Sequence, residues 1–271
     1  MKNRILPFLL FFIIILSAPN ASAQGDLMVM PKRLVFDGSQ RSQEINLANT
    51  GQDTAVYAIS FINYKMLDNG SFEEVEIPEE GQRFASDFLR YFPRRVTLAP
   101  NEAQTIRVQL TRTGNLEQGE YRSHMYFRAV EKQTALGEDI ENAAEGIAIQ
   151  IKTIFGISIP IIIQNGENIS NVSLSDLELD LKESIPKLSL KINRTGNMSV
   201  YGDLLVEHIS LKGENKEIGY VKGISVYTPN SFRNFILKLN NIEGINLNEG
   251  KLKITYTSDE GAELAFYELQ L

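Results

Sequence analysis

The residue types that usually carry catalysis or metal binding are few and scattered in this sequence. Its only two histidines, His124 and His208, lie in separate alternating segments, and such distant histidines are more often structural than metal ligands. The acidic pairs at 73–74 and 79–80 lie in predicted loops and lack the regular carboxylate spacing of a calcium loop. No serine elbow, glycine-rich phosphate loop or cysteine occurs. We therefore predict a protein that is not an enzyme and that uses no cofactor or metal ion.

The strongest binding signal is a long alternating segment, Ile147–Ile163. Its odd-numbered residues are almost all large and apolar, beginning with Ile147, Ile149 and Ile151, whereas most even-numbered residues are small or polar. Side chains of a strand alternate between its two faces, so this pattern predicts a strand with one apolar face. Typical strands have ~5–6 residues, and this segment is much longer.

The apolar face of such a long strand can be covered in two ways. It is covered by its own fold, or its free edge and side chains receive a strand from a partner. For Ile157, Ile159 and Ile161 we expect packing in the core or between domains. For Ile147, Ile149 and Ile151 we favour contact with a partner over ordinary core filling.

Residues 1–23 have the features of a secretory signal peptide. Lys2 and Arg4 precede an apolar run, and the small residues Ala21-Ser22-Ala23 predict cleavage after Ala23. A retained membrane anchor is the alternative. Removing the two basic residues changes the formal net charge from −7 to −9. This acidic balance, without a polybasic run, argues against nucleic acid as a partner.

The remaining sequence repeats one rhythm of short alternating runs and turn residues, and it shows no sustained helical apolar stripe. The Asp68-Asn69-Gly70 turn is the clearest break between such runs. We predict an all-β fold of two immunoglobulin-like β-sandwich domains in tandem, over residues 24–164 and 165–271. The segment Glu131–Gly146 interrupts the rhythm, and a loop of that length is usually functional or disordered.

Three segments of the first half resemble the periplasmic pilus-assembly (fimbrial) chaperones of the PapD type. They are the opening strand and turn Pro31–Ser39, the pair of strands within Asn46–Ile62, and Pro93–Val108, which resembles the family's proline, turn and glutamine-to-arginine strand. The resemblance covers most of residues 27–163 and little of the second half. It implies a boomerang-like pair of sandwiches located in the periplasm.

The resemblance also implies a mechanism, donor-strand complementation. In that family, pilus subunits are sandwiches that lack their last strand, and a long strand of the chaperone fills the gap. Here Ile147, Ile149 and Ile151 are the expected contacts with the client. Secreted pilus or surface subunits are the expected partners, an outer-membrane usher is a second candidate partner, and a self-capping dimer would protect the apolar edge when no client is bound.

Family members hold the client's C-terminal carboxylate with two basic residues. Arg33 matches the first position, and a guanidinium suits a carboxylate because it donates two parallel hydrogen bonds. The second position aligns near Ile154, and Lys152 is the nearby substitute. Ser123 and Ser158 stand where the family has an acid and an arginine of its interdomain ion cluster, so we expect that cluster to be absent.

The alternative function is a non-enzymatic structural or scaffold β-sandwich protein of a surface or secretion assembly. It predicts that the long strand is fully covered in the monomer and that Arg33 and Lys152 are ordinary surface charges. The two hypotheses differ in whether the edge of the strand is free.

Overall fold

The computed structural model describes residues 27–130, 155–240 and 245–271. The predicted signal peptide, the loop at 131–146, the three isoleucines at 147, 149 and 151, and Lys152 lie outside the described residues. Regular structure within the described ranges is β-strand apart from two three-residue 3-10 turns, so the all-β prediction is confirmed. In the same ranges, no helix has the length and apolarity needed to cross a membrane.

The first sandwich packs a four-stranded sheet, in the order β1-β3-β9-β7, against a five-stranded sheet, in the order β2-β11-β10-β4-β8. A small hairpin, β5-β6, projects from it. The strands are β1 (Leu27–Met30), β2 (Leu34–Phe36), β3 (Ser42–Asn49), β4 (Ala55–Ile62), β5 (Tyr64–Met66), β6 (Phe72–Glu74), β7 (Leu89–Phe92), β8 (Arg95–Leu98), β9 (Ala103–Leu110), β10 (Gly119–Val130) and β11 (Gly156–Asn165).

The second sandwich packs a three-stranded sheet, in the order β12-β13-β16, against a four-stranded sheet, in the order β15-β14-β17-β18. Its strands are β12 (Asn171–Asp180), β13 (Lys187–Thr195), β14 (Val200–Ile209), β15 (Asn215–Val226), β16 (Phe232–Lys238), β17 (Lys251–Ser258) and β18 (Glu263–Gln270). The prediction of two immunoglobulin-like sandwiches in tandem is therefore confirmed.

Alternation along the strands builds both cores. In β9, for example, Ile106, Val108 and Leu110 face inward and the residues between them face solvent. A strand with one apolar face is stable only when that face is covered, and two such sheets cover each other. Each sandwich thus has its own apolar core.

The opening segment forms two short strands that belong to different sheets. β1 pairs with β3 in one sheet, and β2 pairs with β11 in the other, so the chain changes sheets between Met30 and Leu34. Pro31 lies at this change, and it has no N–H with which to continue a ladder. The change of sheets places Arg33 directly before β2.

A third, small apolar cluster joins the two sandwiches. Val35 and Met66 of the first sandwich pack there with Ile162 and with Tyr227, which follows β15 in the second. The β5-β6 hairpin adds two hydrogen bonds across the junction: Asn230 Nδ2 donates to Met66 O, at 2.9 Å, and Asn234 N donates to Asp68 O, at 2.7 Å. The turn predicted at Asp68-Asn69-Gly70 is therefore confirmed, and it contacts the second sandwich.

Candidate functional site

The described part of the long strand leaves its own core towards its N-terminal end. Its core-facing side chains are almost fully buried at Ile163 (1% exposed), Ile161 (0%) and Ile159 (4%). Exposure then rises to 36% at Ile157 and 52% at Phe155. Core packing, which we expected for three of these residues, is confirmed for Ile159 and Ile161. For Ile157 it is wrong in part, because this side chain lies at the rim of the core.

The same end of β11 has a free backbone edge within the described residues. Ala129 N donates to Phe155 O at 3.0 Å, so the odd-numbered residues of β11 form the hydrogen-bonded pairs with β10. The backbone groups of the even-numbered residues point to the other edge. There β2 pairs with Ile161–Ile163 only, which leaves Gly156 and Ser158 without a strand beside them in the described part of the chain.

Pro160 separates the covered and the open parts of this edge. Pro160 has no N–H, and the backbone groups of even-numbered residues face the outer edge. The outer edge therefore lacks a hydrogen-bond donor at this position. The parallel pairing of Leu34 with Ile161 puts Arg33, one residue earlier, beside Pro160 in the register. The open edge therefore begins next to Arg33.

Arg33 reaches across to the second sandwich. Its Cζ lies 4.1 Å from the ring centroid of Tyr201, the second residue of β14. Its Nε is buried and has no hydrogen-bond partner, and no carboxylate of the described residues forms an ion pair with it. The guanidinium that we predict to be a carboxylate anchor is thus partly buried, and it has no counter-charge among the described residues. Lys152, the predicted second anchor, lies outside the described residues.

A buried polar cluster joins the two sandwiches close to Tyr201. The carboxylate of Glu120, on β10, accepts hydrogen bonds from Ser199 N at 2.8 Å and from Ser199 Oγ. It also accepts one from Thr228 Oγ1, at 3.3 Å. Arg122 Nη1 lies 3.5 Å from the same carboxylate, and both side chains are almost completely buried.

Arginines complete this cluster on both sides. Arg122 donates from Nη2 to Thr228 O, at 3.2 Å, and its Cζ lies 4.1 Å from the Tyr227 ring centroid. Arg194, on β13, donates to three carbonyl groups at 2.8–2.9 Å and interacts electrostatically with Glu120. Burial lowers the pKa of Arg122, and the charge of Glu120 opposes that shift.

We expected no ion cluster between the sandwiches because Ser123 and Ser158 are uncharged, and this is wrong in part, since a charged cluster forms at other positions. Ser123 instead accepts from Ser86 N, at 3.0 Å, and donates to Asn63 Oδ1, at 2.6 Å, within the first sandwich. The cluster is formed by other positions, Glu120 and Arg122, which share a face of β10. The sequence carries one signal of this cluster, the polar residues at alternate positions of β10. In the structure this strand is buried along most of both faces, so the polar residues need partners.

His124 continues this polar row, in an aromatic environment. Its ring centroid lies 4.9 Å from that of Tyr64 and 5.6 Å from that of Phe72, and Nδ1 is buried without a hydrogen-bond partner. Burial, with the charge of Arg122 added, lowers the pKa of His124 from 6.5 to about 3, so the ring is neutral at pH 7. His208, on β14, bonds to Glu249 O at 2.9 Å.

No protein-family model matches the chain, and no curated protein matches it by sequence. Solved structures that resemble it include the YadV chaperone, at 13% identity over 91% of this chain and 100% of the other, with a TM-score of 0.46. They also include the CupB2 chaperone of Pseudomonas aeruginosa, at 12% identity over 90% and 100% of the two chains, with a TM-score of 0.44. A third is the CsuC–CsuE chaperone–tip adhesion subunit pre-assembly complex of Acinetobacter baumannii, at 12% identity over 90% and 98%, with a TM-score of 0.44. Likenesses at this level assign no function, so the function has to be inferred from the residues of this chain.

Proposed function

We propose that this protein is a periplasmic chaperone that captures incomplete immunoglobulin-like subunits by donating a strand to them. The observation that carries the proposal is the exposure of the apolar face towards the start of β11, which rises from 0% at Ile161 to 52% at Phe155, the residue before the strand. The sequence continues the same alternation through Ile151, Ile149 and Ile147. An apolar stripe that leaves its own core suits a second, foreign core.

Two physical terms would stabilise the complex. Each isoleucine that enters a client's core contributes ~1.5–3 kcal/mol before the entropy cost of ordering is subtracted. Backbone hydrogen bonds along the open edge at Gly156 and Ser158 add affinity with little demand on the client's sequence. A chaperone for several related subunits needs this combination.

The position of Arg33 sets the direction of the client strand. A strand that pairs with the open edge of β11 meets β2 at the register of Pro160 and Arg33. If it runs parallel to β11, its C-terminal carboxylate arrives at the guanidinium, which has no counter-charge among the described residues. An antiparallel strand would bring its N-terminal ammonium there, and two like charges repel each other. We therefore propose a parallel client strand with its C-terminal carboxylate on Arg33, and with Lys152 as a further cation.

Capture experiments with a matched pair of variants test the donor strand. Ile149→Asp places a charge on the apolar face and should abolish capture of exported pilus or surface subunits, whereas Gln150→Asp places the same charge on the opposite face and should retain it. Capture is measured by co-purification from the periplasm with each candidate subunit. Equal capture by the two variants would refute the donor-strand proposal.

Amide hydrogen exchange on residues 147–160 tests the edge directly. Rapid exchange in the free protein and protection on addition of a subunit support the proposal. Protection in dilute monomer that no subunit changes would favour the structural or scaffold protein. A concentration-dependent protection without a client would identify a self-capping dimer.

A further inference from the structure

Arg33 belongs to the first sandwich, but the group that supports it belongs to the second. We infer that Tyr201 is a positioning residue for Arg33, and that a carboxylate binds more tightly at the guanidinium while the ring of Tyr201 lies beneath it. This inference rests on the proposed function for the identity of the natural carboxylate. It goes beyond that function because it makes the anchor a joint property of both sandwiches.

The first observation is the separation of the two groups. Arg33 Cζ lies 4.1 Å from the Tyr201 ring centroid, which is a contact distance for a guanidinium over an aromatic face. No hydrogen bond of Arg33 to any described residue accompanies this contact, and Nε is buried without a partner. The ring is therefore the main support that orients the end of this long side chain.

The second observation is that the position of Tyr201 is itself fixed. Ser199, two residues earlier, donates from both its backbone N and its Oγ to the buried carboxylate of Glu120. Ser199 Oγ also accepts from Thr228 N, at 2.9 Å. The start of β14 is thus tied to β10 of the first sandwich, the domain that also carries Arg33.

The chemistry follows from the shape of the guanidinium. A ring against its face leaves the edges available, and the edge that carries Nη1 and Nη2 can donate two parallel hydrogen bonds to one carboxylate. The buried Nε favours approach from that end. A cation held in one orientation before binding loses less entropy when the carboxylate arrives.

A titration with sodium acetate tests the inference on the mature protein without any client. The readout is the ¹⁵N and ¹H shift of the Arg33 Nε–H group, assigned by its loss in Arg33→Gln, with sodium chloride at equal ionic strength as the control. We expect a saturable shift with acetate in the wild type. Tyr201→Phe should retain the acetate affinity, and Tyr201→Leu should weaken it by about three- to tenfold, the factor that corresponds to a typical cation–π contact.

A second variant separates positioning from general damage to the fold. Arg33→Lys keeps the charge but loses the planar group. The double variant with Arg33→Lys and Tyr201→Leu should therefore bind acetate with the same affinity as Arg33→Lys alone. This affinity is read from the Nζ signals of the introduced lysine. Equal acetate affinity in the wild type and Tyr201→Leu would overturn the inference, as would a wild type without a saturable shift. If acetate binding depends on Tyr201 but no exported subunit is captured, the chaperone proposal fails and this inference stands.

Discussion

Truncation of Glu120 should be among the most damaging single changes at the junction. The side chain is completely buried, and Arg122, 3.5 Å away, is 3% exposed. Glu120→Ala leaves the Arg122 guanidinium without its counter-charge and removes the acceptor of Ser199 N, Ser199 Oγ and Thr228 Oγ1. Removing one partner of a buried ion pair costs about 3–5 kcal/mol, because the other charge stays buried.

Two control variants test this reasoning. Glu120→Ala combined with Arg122→Met removes both charges, and we expect it to be more stable than Glu120→Ala alone. Glu268→Ala breaks the exposed pair with Lys251, where Nζ and Oε1 lie 2.8 Å apart, and this change should cost only about 0–1 kcal/mol.

Urea unfolding of the mature protein measures these costs. Circular dichroism reports the strands, and fluorescence of the ten tyrosines reports the packing. If the two probes give separate transitions, the sandwiches unfold separately and each transition is analysed by itself. A loss below about 1 kcal/mol for Glu120→Ala, or a double variant no more stable than the single one, would refute a buried interdomain ion cluster.

Three further predictions concern other described residues. His124 has its pKa lowered to about 3 in the folded protein, against 6.5 for the free side chain, so the unfolded chain takes up the proton first as the pH falls. The free energy of unfolding should therefore decrease by about 2 kcal/mol between pH 7.5 and pH 5. His124→Phe should remove this part of the shift in the urea midpoint. An unchanged shift in His124→Phe would show that His124 is not its source. Gly202→Ala should cost about 1–3 kcal/mol in the same urea assay, because its Cβ would overlap the backbone oxygen of Thr257. Gly114→Ala, whose Cβ would have no neighbouring atom within 4 Å, should be neutral. Ile157→Asp should weaken subunit capture more than Ser158→Asp does, since only Ile157 is on the apolar face, and equal weakening would exclude this face from the interface.

The sequence predicted the sandwiches well because they follow from local patterns. Alternation and turn residues identify a strand such as Lys251–Ser258 without knowledge of its neighbours. The β5-β6 hairpin and β7 were not predicted, because three or four residues are too few to show the two-residue alternation of a strand. Which strands pair, and where one core ends, depends on contacts between residues far apart in the chain.

The contacts at the junction show the same limit. Glu120 and Ser199 are separated by 79 positions, and neither residue type marks an interdomain contact. Arg33 could be identified as a candidate through a family resemblance, but its support by Tyr201 could not, because the family pattern covers little of the second half. The alternating polar residues of β10 were visible in the sequence, but only their burial in the structure identifies them as an interdomain cluster.

In the complex that we propose, the contact of Arg33 with Tyr201 gives the second sandwich a role in binding, although the open edge belongs to the first. Along that edge, apolar burial and backbone hydrogen bonds act wherever a strand can pair, so they do not fix the register of a client. In the proposed complex a single cation at the end of the edge would fix it, because only one register brings a terminal carboxylate to Arg33. Tyr201 holds that cation, and the Glu120–Ser199 contact holds β14 against the first sandwich. A rotation between the sandwiches would therefore move the ring away from Arg33 and loosen the register, even if the edge of β11 remained unchanged.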